Sequence, residues 1–165
     1  MTKTFINPAP DFSKYRPSGG CIVVNNDGRI LYCARADIPD AWQMPQGGID
    51  PGEDPEEGAL RELYEETAIK NVEVLEAYPD WLTYPFRDIN KDRGAPQQDG
   101  YIGQAQKWFL LKYNGDPDAI NLDAAQDKEF SAYLWATPEY ILDTVAEFRK
   151  PLYEECFKHF GFLKK

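Results

Sequence analysis

Residues Gly47–Ile69 read GGIDPGEDPEEGALRELYEETAI, and this spacing predicts a helix that starts near Asp54 and carries a cluster of acids. Asp54 is a good N-cap, Pro55 suits the first helical position, and Glu57 completes a capping box. Glu62, Glu65 and Glu66 stand at i, i+3 and i+4, which brings their carboxylates onto one helix face. Leu60, Leu63 and Tyr64 are expected on the opposite, buried face. Like charges on adjacent turns repel by about 0.2–0.5 kcal/mol per pair, and a polycation would offset that cost. Hard oxygen ligands with neither His nor Cys suit Mg2+, or Mn2+ in its place. An EF-hand does not fit, because Asp50, Gly52 and Asp54 would put Pro55 where that loop needs Gly.

The composition narrows the chemistry around this helix. With 165 residues, the chain is expected to form one domain over residues 1–165, with residues 1–14 as an extended arm. The net charge of −10 argues against an extended nucleic-acid surface but leaves room for a nucleotide or an RNA end in a local basic pocket. No GxxxxGK[ST] loop is present, so the ordinary P-loop cradle is absent. The one histidine, His159, reads as a structural group in a C-terminal helix and excludes histidine-triad hydrolysis. Phosphate chemistry must then run through metal and carboxylate. Cys21, Cys33 and Cys156 show no CxxC spacing and read as reduced thiols. With no apolar run of about 18 residues, no membrane span is expected. The N-terminal residues resemble neither a secretory signal nor a transit peptide, and the reduced thiols are those expected of a cytoplasmic protein.

Along the chain, Gly20–Asn25 reads as a buried strand, Asn26–Gly28 as a turn and Arg29–Arg35 as the hairpin partner. Trp42–Gln46 is a short strand made irregular by Pro45, followed by a turn at Gly47–Gly48. Strands are expected around Val72–Leu75, Trp81–Phe86, Gln104–Tyr113 and Phe130–Trp135. Asn90–Gly100 reads as a mobile loop able to close over a substrate. Asp116–Lys128 is a polar loop, Thr137 caps a short helix from Pro138, and a last helix follows Pro151 with Leu152, Cys156 and Phe157 as its apolar stripe. Together these give an α/β (α+β) sandwich, a mixed sheet flanked by helices.

The spacing Gly47, five residues, Glu53, seven residues, Arg61-Glu62-Leu63, one residue, Glu65-Glu66, one residue, Ala68-Ile69 resembles the Nudix box. It departs at Ala68, where that pattern has Gly. If the backbone there keeps a positive φ, Ala costs about 1 kcal/mol. YRPSGG at 15–20, DAWQMPQGGID at 40–50, WLTY at 81–84, IGQAQKWFLL at 102–111, KEF at 128–130 and VAEFRKPLY at 145–153 are similar to one branch of the Nudix hydrolases. That branch holds the asymmetrically cleaving diadenosine tetraphosphate hydrolases of plant and bacterial type and the bacterial RNA pyrophosphohydrolases.

The resemblance implies the Nudix-type sandwich and a Mg2+-dependent hydrolase acting on a dinucleoside polyphosphate, or alternatively on a triphosphorylated RNA 5′ end. It implies that Glu62, Glu65, Glu66, the Gly47 carbonyl and Glu129 hold metal, with Glu62 or Glu129 as general base. Arg61 is placed as a partner of Glu53 or Glu65 that orients the ligands. Glu129 reads nearly as well as an exposed loop acid. Arg16, Arg35 and Lys107 are candidates for polyphosphate binding. Tyr84 and Phe148 are candidates for base stacking, with core packing as the other reading of both, and an equal one for Phe148. Gln43, Gln46, Gln104 and Gln106 form a set of amides near the expected cleft, there to bind phosphate or to satisfy backbone groups. A nucleotide-binding module without catalysis is the third reading.

Overall fold

The computed structural model describes residues 5–86 and 100–163. Among these the order is β1 (Ile6–Asn7), β2 (Tyr15–Val24), β3 (Ile30–Arg35), β4 (Trp42–Gln43), β5 (Gln46–Gly48), α1 (Pro55–Thr67), β6 (Val72–Ala77), β7 (Trp81–Pro85), β8 (Gly103–Tyr113), β9 (Phe130–Ala136), α2 (Pro138–Thr144) and α3 (Lys150–His159). The loop expected at 90–100 lies almost wholly outside the described residues.

The strands form one mixed sheet in the order β1-β7-β8-β2-β3-β4, with β5 on β2, β6 on β8 and β9 on β3. Its spine is the parallel pair β2 and β8, in register from Tyr15↔Gly103 to Val24↔Lys112. That pairing starts β2 at Tyr15, five residues before the strand expected from its β-branched run. One sheet face, with Cys21, Val23, Phe109 and Leu111, packs on Ala59 and Leu63 of α1. The other, with Ile22, Tyr84 and Trp108, packs on Ile141 of α2 and Leu152, Tyr153 and Phe157 of α3. The α/β sandwich expected from the sequence is therefore present, and all three cysteines are buried free thiols within it.

Two local expectations change. The stretch 42–48 is not one strand followed by a turn. Pro45 divides it into β4 and β5, and Gly47 and Gly48 are strand residues opposite Gly19 and Ser18. Proline cannot donate to a ladder, but its carbonyl still accepts from Cys21 N–H at 2.9 Å. The hairpin of β2 and β3 also separates after a single partner pair, Val24↔Ile30. Beyond it β5 takes the edge of β2 and β4 that of β3, while β9 pairs along the other edge of β3 from Ile30 to Arg35.

The start of α1 follows its sequence signal, with Asp54 Oδ2 accepting Glu57 N–H at 3.2 Å. Its end does not relax around Ala68, which caps the helix at φ 62° and donates its N–H to the Tyr64 carbonyl at 2.8 Å. An L-residue in this left-handed conformation is strained and Gly is not. Ala68→Gly is therefore expected to stabilise the protein by about 1 kcal/mol. A thermal melt reads this as a rise of roughly 2–4 °C, and an unchanged or lower melting temperature would show that the cap is not strained.

The faces of α1 also differ from expectation. Ala59, Leu63 and Glu66 are buried, whereas Tyr64 is half exposed. At about 100° per residue, Glu66 projects within about 20° of Ala59 and 60° of Leu63, while Tyr64 lies about 100° beyond Leu63. Burial of the Ala59–Leu63 stripe thus carries one member of the acid cluster under the helix and leaves the tyrosine outside.

Candidate active site

The acid cluster lies where α1 crosses the glycine-rich strands β2 and β5. Gly19 lets the helix approach: a methyl group there would come within 2.8 Å of Ala59 Cβ. Gly47 serves the site in the same way, because a methyl group there would collide with the Glu62 carboxylate. The carboxylate thus lies directly against the strand backbone, and this close approach is what requires Gly47.

Arg61 ties the helix to the loop before it. Its Nε and Nη2 donate to the two Glu53 oxygens at 2.8 and 2.9 Å. Nη2 also reaches the Gly48 carbonyl at 2.9 Å, and Nη1 reaches Glu62 at 3.0 Å and Glu65 at 2.9 Å. Arg61 is therefore in contact with both partners considered for it, Glu53 and Glu65. It holds Glu53 far below the usual carboxylate range, at about 2. Glu53 in turn accepts Asp50 N–H at 2.9 Å, which closes the turn before α1.

Glu66 is only 1% exposed, and neither of its oxygens has a donor among the described residues. The Glu129 carboxyl lies against it, and two carboxyls can share a hydrogen bond only if one carries a proton. Burial first, then Glu129, Glu62 and Asp127, push Glu66 up to about 11. Glu62 is also raised, chiefly by burial and against the pull of Arg61. A buried carboxylate without a donor, facing a second one, is costly unless a cation stands between them. This donor set fits an oxygen-seeking divalent ion. Glu62, Glu66, Glu129 and Gly47 line one open cleft of about 170 Å3 together with Arg16, Gln46, Gly48 and Gln104.

The polar loop before β9 completes the site. Asp127 N–H donates to the Glu65 carbonyl at 2.9 Å, and Ala36 N–H to the Glu129 carbonyl at 2.8 Å. These two clips bring Glu129 onto Glu66 and set Asp127 beside α1, where one oxygen each from Glu62, Glu65 and Asp127 lie within 4.8 Å of one another. Asp127 has no sequence signal. It is one acid of several in a polar loop, and only its backbone bond to α1 selects it.

The remaining candidates are dispersed. Arg16 lines the cleft, with its guanidinium against Gly48. Arg35 makes two 2.8 Å hydrogen bonds to Asp37 and one at 3.3 Å to Gln43, close enough to Glu129 and Glu66 to sense their charge. Lys107 donates to the Pro79 carbonyl at 2.8 Å and is not among the cleft-lining residues. Tyr84 and Phe148 are buried in the α2–α3 core and pack on each other with centroids 5.5 Å apart.

Sequence reasoning also passed over Arg149. It is 5% exposed, has its Cζ 4.8 Å from the Phe148 ring centroid and donates to Gln43 at 3.2 Å. Only its position beside Phe148 could have drawn attention to it. His159 lies at 2.8 Å from Glu76 and packs on Tyr78, away from the cleft. Among the described residues no helix is long and apolar enough to cross a membrane.

Comparison with known proteins agrees with this geometry. Nudix hydrolase 26, chloroplastic, of Arabidopsis thaliana is 42% identical over 89% of this chain and 69% of its own length. An RNA pyrophosphohydrolase of Cereibacter sphaeroides is 41% identical over 92% of this chain and 93% of its own. The fold matches that of a C. elegans Ap4A hydrolase binary complex with a TM-score of 0.65 at 21% identity, covering 90% of this chain and 99% of that one. Residues 14–156 match the NUDIX domain, and with the acid helix, its arginine and its glycine-backed cleft in place, the chain belongs to the Nudix hydrolases.

Proposed function

We propose that the protein hydrolyses a phosphoanhydride of a dinucleoside polyphosphate, splitting diadenosine tetraphosphate into ATP and AMP with Mg2+ bound. The observation that carries this reading is the buried, donorless Glu66 carboxyl set against Glu129 in a cleft that Arg16, Gln46 and Gln104 also line. Glu62, Glu65, Glu66, Glu129 and the Gly47 carbonyl would hold divalent metal, with Asp127 beside Glu62 and Glu65. The bound ion supplies charge neutralisation on phosphate oxygens and lowers the pKa of a nearby water.

The chain's own groups then have separate tasks. Arg16 binds phosphate oxygens from the β2 side. Arg61 fixes the rotamers of Glu62 and Glu65, so the ligands do not reorganise when charge develops. Water oxygen bonds to a terminal phosphorus, the bridging P–O bond breaks, ATP leaves and AMP takes the new oxygen. The proton of that water goes to a carboxylate, for which Glu129, which reaches the cleft from the loop before β9, is better placed than Glu62, whose Oε1 already accepts from Arg61.

Removal of pyrophosphate from triphosphorylated RNA 5′ ends is a second reading. It is favoured by the similarity, over nine-tenths of both chains, to a protein named RNA pyrophosphohydrolase. The net charge of −10 places it second. A side-by-side assay with Mg2+ at varied salt separates the two. Fast release of ATP and AMP from diadenosine tetraphosphate, with slow action on a 5′-triphosphate RNA oligonucleotide, is the expected result. Preferred, salt-sensitive release of pyrophosphate from the RNA would replace the first reading with the second. Turnover of neither would remove both.

A further inference from the structure

The side chain of Trp108 is wholly inside the protein, and an indole N–H can only donate. It donates to Gln106 Oε1 at 3.0 Å. With that oxygen committed, the Gln106 amide nitrogen has to point the other way. It donates to Gln46 Oε1 at 3.0 Å and to Gln104 Oε1 at 3.2 Å. The Tyr84 hydroxyl donates to the same Gln104 oxygen at 3.0 Å, and Ser18 Oγ reaches both oxygens at 3.3 and 3.4 Å. Both glutamine oxygens are thus turned into the protein. Both amide nitrogens are left to the cleft, where neither donates to a protein acceptor among the described residues.

The order of dependence runs outward from the core. A donor-only group at the buried end dictates the orientation of Gln106, which is itself 1% exposed. Gln106 in turn dictates the orientation of two amides that line the cleft. Gln46 and Gln104 line the cleft, yet the choice is made about two side chains away from it.

We propose that Trp108 and Gln106, neither of which lines the cleft, are positioning residues that hold Gln46 and Gln104 as paired N–H donors for the non-bridging oxygens of a bound polyphosphate. The proposal rests on the phosphoanhydride reading given above. Anionic phosphate oxygens only accept, so a flipped amide would present a carbonyl dipole to them and repel. The cleft also carries three carboxylates against one arginine among its lining residues. Neutral donors hold the phosphate chain without adding cations that would ion-pair with the metal-binding acids.

The test is calorimetry of inorganic tripolyphosphate with Mg2+ on the full chain, with Mn2+ affinity and melting temperature measured alongside. Gln106→Glu still accepts from Trp108, but its second oxygen now accepts from Gln46 and Gln104 and turns their carbonyls towards the cleft. Tripolyphosphate affinity is expected to fall about 10- to 100-fold, the loss of one or two charge-assisted hydrogen bonds. Trp108→Phe keeps an aromatic side chain but removes the indole N–H, frees Gln106 to rotate and is expected to weaken binding about 3- to 10-fold. Mn2+ affinity should stay within about twofold in both, and KM should rise by more than kcat falls. A general structural loss would lower metal affinity and kcat together and would overturn the proposal. So would wild-type tripolyphosphate affinity in folded Trp108→Phe, which decides the matter alone if the buried charge of Gln106→Glu prevents folding. Failure of the wild-type protein to bind tripolyphosphate would instead overturn the phosphoanhydride reading itself.

Discussion

Glu66→Gln is expected to reduce kcat by about 100-fold or more while raising the melting temperature of the metal-free protein. The two effects have one cause. Glu66 is buried against Glu129 with no donor on either oxygen, so as a carboxylate it is stable there only beside a cation. The amide removes the charge and can donate its N–H to Glu129. The metal-free fold gains, and the metal site loses a ligand. Stabilisation at the expense of activity is the usual sign of a group kept for chemistry.

The pH dependence follows from the raised pKa. The metal-free folded protein keeps a proton on Glu66 up to about 11, whereas the ordinary value is 4.5. Stability contributed by this group is therefore complete below about pH 4.5 and declines as pH rises towards 11, by at most about 1.4 kcal/mol per unit. At pH 7 the accumulated loss is on the order of 3 kcal/mol, and Glu66→Gln should recover it. Melting curves in chelator from pH 5 to 9 should show wild type falling away from the variant, and Mg2+ should close the gap by stabilising wild type alone. Parallel curves for the two proteins, with wild-type turnover in the variant, would mean that Glu66 neither carries charge strain nor holds metal.

The sequence made α1 legible and left its orientation obscure. Asp54, Pro55 and the acid spacing mark the helix because capping and 3.6-residue periodicity are local. Which acid lies beneath the helix depends on the Ala59–Leu63 stripe meeting β2, a contact between segments about 40 residues apart. The pairing of β2 with β8 is more distant still, and it alone brings Ser18, Gln104 and Gln106 into one polar cluster. The amides were visible as a set near the expected cleft. Their direction was not, since it derives from a tryptophan buried in the core. Asp127 was unreadable for a related reason: a backbone hydrogen bond to Glu65, not its residue type, puts it at the site. Lys107 illustrates the reverse, a cation on a strand near the site whose ammonium is taken up by the Pro79 carbonyl.

Arg61→Lys preserves charge and is nevertheless expected to cost about 2–4 kcal/mol of stability and about 10- to 100-fold in Mn2+ affinity. A guanidinium offers five N–H groups in a fixed fork, and Arg61 spreads them over Glu53, Glu62, Glu65 and the Gly48 carbonyl. An ammonium is a compact donor that can satisfy one or two of these partners. Glu53, with a side chain 17% exposed, then loses its bidentate partner, and the turn closed by Asp50 N–H loosens. A melt should record a fall of roughly 5–10 °C at neutral pH. The deficit should also depend on acid. Glu53 is depressed from 4.5 to about 2 by Arg61, so the stability from this pair is present above about pH 4.5 and disappears as pH falls through about 2. The two proteins should therefore converge in strong acid and separate as pH rises. Glu62 and Glu65 lose in the variant the group that fixes their rotamers, so Mn2+ binding weakens through ligand disorder. Wild-type Mn2+ affinity and an unshifted melt in Arg61→Lys would show that positive charge at this position, rather than the fork, is all that the site requires.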